Sequence, residues 1–194
     1  MVFFLLAAWV ASLGTLAVDW AETKTNMVRL HVVGASNSEV DQAIKLQVRD
    51  AVVERLKVEL ADIQDAGEAK AWIASNLSAI EETANQALAA AGCEDTAAAS
   101  LLAEEFPVRN YDTFSLPAGV YDALRITIGA GEGRNWWCVV FPSLCVPETS
   151  AGFSDVAAGA GFSDDLTSTL TEDYQVRFFL LDWLGQVENF FHPG

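Results

Sequence analysis

The chain has 194 residues, 52% of them hydrophobic, which is enough for one sizeable core in a single domain. A formal net charge of -16 excludes the basic footprint that nucleic acid demands and electrostatic docking on anionic lipid. The expected partner is therefore a protein or a small molecule.

Residues 1-21 read as a signal peptide or membrane anchor. Met1 to Val18 is almost purely apolar, long enough for a signal-peptide core and marginal for a spanning helix of about 20 residues. Cleavage after Ala17, with Thr15 and Ala17 at the small-residue positions, and retention as an anchor are both open. Either way the folded part is expected outside the cytoplasm, with membrane contact only through this N-terminal segment.

Residues 22-146 read as an α+β domain. Met27 to Val33 alternates as a short strand and ends at the loop Gly34-Ala-Ser-Asn37. Ser38 with Asp41 three residues on has the spacing of a helix N-cap with an acidic first turn. Val40, Ile44, Val48, Val52 and Leu56 then mark one apolar stripe of a long helix. Asp41, Lys45 and Arg49 line an adjacent stripe, which is ordinarily a solvated face. A second long helix is expected from about Gly67, with Ala69, Ile73, Ile80, Ala84, Ala87 and Ala91 inward and Gly92 as its stop. Thr96 to Glu105 is rich in Ala and Leu, and its propensity is helical.

From Val108 the pattern turns to β. Strands are expected over Arg109 to Ser115, Val120 to Ile128 and Trp136 to Phe141, joined by a Leu116-Pro117-Ala-Gly119 turn and a glycine turn at Gly129, Gly131 and Gly133. The expected fold is an antiparallel β-meander with two long N-terminal helices and a C-terminal helix packed on it. Residues 147-171 read as a flexible Gly, Ala, Ser and Asp linker in which Ala-Gly-Phe-Ser-Asp occurs twice. Residues 172-194 hold an amphipathic helix over Tyr174 to Phe191, with Val176, Leu180, Trp183, Leu184, Val187 and Phe191 at helical spacing. Its aromatic content favours docking on the sheet.

Negative charge is unevenly spread. There are six acids and six bases through residue 58, ten acids and one base from Glu59 to Glu105, three of each from Phe106 to Val146, and eight acids with Arg177 from Pro147 onward. Solvated acidic faces that keep the chain soluble account for this, as does a neutral surface left free for docking. On the second account the candidate face combines Lys45, Arg49, Arg109, Tyr111, Tyr121 and Arg125 with whichever of Trp136 and Trp137 points outward, since adjacent strand residues face opposite ways. Ordinary pairing of the arginines with Asp112 and Asp122 competes with this reading.

No cofactor, metal site or catalytic constellation is expected. Gly129-x-Gly-x-Gly133 is followed by a strand rather than a helix N-terminus, so it is a turn and not a dinucleotide cradle. His31 has no second histidine or zinc-spaced cysteine pair near it in sequence, which favours a structural role. A hydrolase using His31 with Asp41 or Asp50 is the rival, and a non-signalling envelope-binding module a third reading. Three cysteines allow at most one internal bridge, with Cys138 and Cys145 the plausible pair; both as small buried hydrophobes is the equal alternative.

Three blocks carry a resemblance: Arg29-Leu-His-Val-Val-Gly-Ala-Ser-Asn37, Phe106-Pro-Val-Arg-Asn-Tyr-Asp112 with Leu116-Pro-Ala-Gly-Val-Tyr-Asp-Ala-Leu-Arg125, and Gly129-Ala-Gly-Glu-Gly-Arg-Asn-Trp-Trp-Cys-Val-Val-Phe-Pro-Ser-Leu-Cys145. Together they resemble the stage II sporulation protein R family. The resemblance implies a secreted signal, made in the forespore, that activates a membrane-embedded aspartic protease of the mother-cell membrane. That protease in turn processes the precursor of a sporulation sigma factor. The chain would then act between the forespore and mother-cell membranes as a ligand and would not be an enzyme. The resemblance also implies a strand over Thr96 to Glu105, and it leads to a larger apolar residue where Gly34 stands.

Overall fold

The computed structural model describes residues 24–110, 114–141 and 176–191, together with Val18, Trp20, Ala21, Thr167 and Leu170. The chain forms two compact units, one of Met27–Ala103 with Asp122–Cys145, the other of Met1–Asn26, Glu104–Tyr121 and Val146–Gly194.

The first strand, β1 (Val28–Val33), is buried along its whole length. A strand covered on both faces belongs in the middle of a sheet. That is its place: with β2 (Ala97–Phe106), β5 (Gly119–Ile128) and β6 (Asn135–Phe141), the order is β2-β5-β1-β6. β1 pairs parallel with β5, from Arg29↔Ala123 to Val33↔Thr127, and antiparallel with β6, from Val28↔Phe141 to Val33↔Asn135.

The sheet is therefore mixed, which corrects the expected antiparallel meander. A parallel pair needs a long crossover, and the helices that follow β1 supply it. These are α1 (Glu39–Glu59), α2 (Ala66–Ser75) and α3 (Leu77–Ala90). The expected second long helix is thus two. Asn76 divides them: its N–H bonds the Ile73 carbonyl at 3.0 Å and its side-chain amide the Trp72 carbonyl at 2.8 Å, which ends α2 and starts α3.

The helices cover one face of the sheet. Val28, Leu30 and Val32 of β1, Leu124, Ile126 and Ile128 of β5, and Cys138 and Val140 of β6 join Val48, Val52, Leu56, Ile73, Ile80 and Leu88 in one core. Each such aliphatic side chain contributes about 1.5–3 kcal/mol by leaving water. The alternate residues Arg29, His31 and Val33 point to the other face and are also buried.

β2 is a strand despite its helical composition. On its outer side, where no strand among the described residues pairs with it, α3 meets the backbone: Ala97 N–H donates to Asn85 Oδ1 at 2.8 Å, Asn85 Nδ2 donates to the Ala97 carbonyl at 3.1 Å, and Ala99 N–H donates to Glu81 Oε2 at 3.0 Å. Tertiary hydrogen bonding overrides the local preference of alanine.

In the other unit, β3 (Arg109–Asn110) and β4 (Ser115–Leu116) pair with each other, so the strand expected over Arg109 to Ser115 folds back on itself. The last helix, α4 (Val176–Phe191), lies within the expected segment, but its apolar stripe is turned outward. Leu181 and Gly185 are buried, whereas Phe179, Trp183, Leu184, Val187, Phe190 and Phe191 are exposed. Among the described residues no helix is long and apolar enough to cross a membrane. Most of the apolar N-terminal segment and of the 147–171 linker lies outside them.

Candidate functional site

The charged stripe of α1 faces the start of β6 and the loop after β1, and it is not a solvated row. Ser38 caps α1 by accepting the Asp41 N–H at 3.0 Å. Asp41 accepts a short hydrogen bond from the Ser36 hydroxyl. One turn on, Lys45 is buried and donates to Gln42 Oε1 at 2.7 Å and to the Arg134 carbonyl at 2.8 Å. Burial, with the positive charges of Arg134 and Arg49 adding to it, lowers its pKa from the ordinary lysine value. One turn further, the Arg49 guanidinium sits 4.4 Å from the Trp136 ring centroid and pairs with Asp50 at 2.6 Å.

The glycine segment between β5 and β6 is a crossover rather than a hairpin turn, because β1 lies between the strands it joins. Two strand spacings, about 9.6 Å, have to be bridged over the exit of β1. Gly129 and Gly131 adopt positive φ, 55° and 66°, as a tight reversal requires. Gly133 is needed for a different reason: a Cβ there would overlap the Ser36 carbonyl and come within 2.7 Å of the Gly34 carbonyl. The loops are laced together by Glu132 N–H to the Ala35 carbonyl at 3.2 Å, Gly133 N–H to the Gly34 carbonyl at 2.8 Å and Arg134 N–H to Asn37 Oδ1 at 2.9 Å. Gly34 itself has no room for the larger residue expected there, since a Cβ would meet Gln42 Nε2 at 2.9 Å.

On the opposite face of the sheet the register sets Trp137, His31 and Arg125 in one row across three strands. The His31 and Trp137 rings stack with centroids 5.5 Å apart and 21° between planes. Arg125 donates to Thr127 at 3.3 Å. Asp122, one of the expected partners of the arginines, points to the helix side and pairs with Lys70 at 2.6 Å.

A family model described as stage II sporulation protein R (spore_II_R) matches residues 24–151. The chain belongs to this family. It is 31% identical over 180 residues to the stage II sporulation protein R of Bacillus subtilis (strain 168), which covers 82% of this chain and 80% of that protein. No solved structure matches. Membership of the family gives the chain a sporulation-related role.

The candidate docking residues are consequently divided. Arg49 and Trp136 form an accessible pair on the helix side of the edge strand β6, with Trp136 37% exposed. Arg125 and Trp137 lie on the other face, both half-buried. Lys45 is buried under the crossover and Tyr121 is buried with its hydroxyl on the Pro117 carbonyl at 2.5 Å, so neither presents a docking surface. Arg109 belongs to the other compact unit, and Tyr111 lies outside the described residues. Pro117 is buried, and Gly119 opens β5 with φ 153°. Cys138 is disulfide-bonded and buried, and Cys93 is free; Cys145 lies outside the described residues.

Sequence reasoning missed Gln42 and the carbonyl of Arg134. A backbone acceptor leaves no mark on residue identity, whereas Asn37 and Gly133 stood within the blocks that carried the resemblance.

Proposed function

We propose that this chain is an exported signal of endospore formation that docks on a membrane-embedded aspartic protease and activates it to process a sigma-factor precursor. It acts in the space between the forespore and mother-cell membranes, as a ligand and without chemistry of its own. The reading rests on family membership across residues 24–151. The observation that carries the docking face is the Arg49–Trp136 stack: an accessible tryptophan beneath a guanidinium, on an edge strand, with both residues in charge-balanced stretches of the sequence. Such aromatic and arginine pairs have the composition of interface hot spots.

The hydrolase reading gains no support from the geometry. His31 is 6% exposed and stacked on Trp137, on the face of the sheet away from α1, while Asp41 and Asp50 sit on α1 with Ser36 and Arg49 as partners.

The test is precursor processing in sporulating cells whose own copy is replaced by Trp136→Ala or Arg49→Ala, with secreted protein level followed in parallel. Lost processing at normal protein level is expected. Full processing by both variants would place the docking face elsewhere.

A further inference from the structure

The inverted amphipathicity of α4 has a physical cause and needs an outer partner. Its inward face is held by polar groups: Asp182 Oδ1 accepts the Ala118 N–H at 2.9 Å, Glu188 Oε2 the Val120 N–H at 3.3 Å, and Asn189 donates to the Phe106 carbonyl at 3.2 Å. Gly185 lets the backbones touch, since a Cβ there would overlap the Ala118 carbonyl. With that face fixed, Phe179, Trp183, Leu184, Val187, Phe190 and Phe191 stand outward within an arc of about 140° at 100° per residue. Phe190 and Phe191 are 80% and 72% exposed, which is far from the scattered exposure of ordinary surfaces.

The same unit shows what lies next to this stripe. Lys24 pairs with Glu188 of α4, with its Nζ 2.8 Å from Oε1, and Trp20 is buried edge-on against Tyr121 with centroids 6.1 Å apart. Residues Val18, Trp20, Ala21, Lys24 and Thr25 are helical, and Lys24, bonded to α4, stands six residues after the end of the apolar run Met1 to Val18 in the sequence. The residues that follow a segment composed to enter a bilayer are thus bonded to the helix whose apolar side faces out.

We propose that α4 lies flat in the interface of a lipid bilayer, its Phe179 to Phe191 stripe inserted at the boundary of headgroups and acyl chains. This extends membrane contact beyond the N-terminal segment. The 16-residue helix, roughly 24 Å long, is too short to span the hydrocarbon core, and Asp182 and Glu188 are already engaged on its other side. No charged residue lies within the stripe and the chain carries -16, so binding is driven by apolar burial on uncharged lipid.

The test reads Trp183 alone, as the difference in emission between the full chain and its Trp183→Phe variant; this cancels the other tryptophans, including those near the N-terminus. On binding to phosphatidylcholine vesicles the difference emission is expected to shift to the blue, to lose most of its intensity when the lipid acyl chains are brominated, and to ignore added salt. Unshifted and unquenched difference emission from vesicle-bound protein would overturn the proposal. So would emission that is already blue without vesicles: if it depends on protein concentration, a second copy covers the stripe, and if it does not, the chain's own residues do.

Discussion

Lys45 of the first long helix donates to the carbonyl of Arg134, 89 residues along the chain, at 2.8 Å. That bond fixes where the glycine crossover lands, and the crossover delivers Trp136 to Arg49. The most accessible part of the candidate face is therefore positioned by a residue that itself does not reach the surface.

Trp136→Ala and Arg49→Ala are expected to weaken signalling by an amount typical of central interface residues, about 2 kcal/mol in apparent affinity. Their effect on folding should be within about 2 kcal/mol, since the Arg49 side chain of this cation–π pair is only partly exposed. Arg49→Lys keeps the charge and loses the planar stack, so it should fall between. Glu82→Gln on α3, exposed and distant in sequence from the stack, should leave signalling unchanged. Precursor processing in cells and thermal melting of the secreted protein separate these effects.

Substituting Lys45 by Met should cost about 1–3 kcal/mol, because the Arg134 carbonyl and Gln42 amide lose a buried donor. The pH dependence has a definite sign. A lysine whose folded pKa is lowered binds its proton less readily in the native state than in the unfolded one, so this penalty is fully present below the folded value. It is relieved as pH rises from the folded pKa toward the ordinary 10.5. Urea titrations across that window should show wild type gaining stability relative to Lys45→Met.

Gly133→Ala forces a methyl group into the Ser36 and Gly34 carbonyls, and roughly 1–3 kcal/mol of destabilisation is expected. Its φ is not in the positive range, so the penalty comes from contact with backbone that cannot rotate away. Thermal melting beside Gly34→Ala, whose Cβ comes closest to the Gln42 side-chain amide at 2.9 Å and meets the Ser36 carbonyl only at an ordinary 3.5 Å, should show the smaller loss for Gly34.

Asn85→Ala removes both hydrogen bonds to Ala97 on the outer edge of β2 and should cost about 1–3 kcal/mol. Hydrogen exchange would report it locally, as faster exchange of the Ala97 and Ala99 amides. Glu81→Gln retains an acceptor for Ala99 and should be milder.

Peptide mapping without reduction should recover Cys138 joined to Cys145 and Cys93 alkylated. The expectation rests on Cys138 being bridged and buried while Cys93 is free.

The first long helix was legible because Val48, Val52 and Leu56 recur at the helical period and Ser38 marks the start. The order of the sheet was not. Alternation identifies a strand and its two faces, but nothing in Val28–Val33 or Gly119–Ile128 states that these two pair in parallel with a three-helix crossover between them. The stripe of α4 was visible as a pattern, yet its direction was misjudged, because the sequence does not show that Gly185 and three polar side chains grip the Phe106 and Ala118–Val120 backbone. Lys45 misled in the opposite way: a cation in an acid-base row ordinarily meets water, and only the landing point of the crossover turns it inward.

The central position of β1 also governs the order in which the molecule can be built. Its partners on either side lie roughly a hundred residues downstream, so a growing chain that stops before Gly119 holds its earliest strand with neither neighbour available. The first part of the sheet to be synthesised is the last to be enclosed. Until residue 141 has emerged β6 is incomplete, and the sheet cannot close around β1.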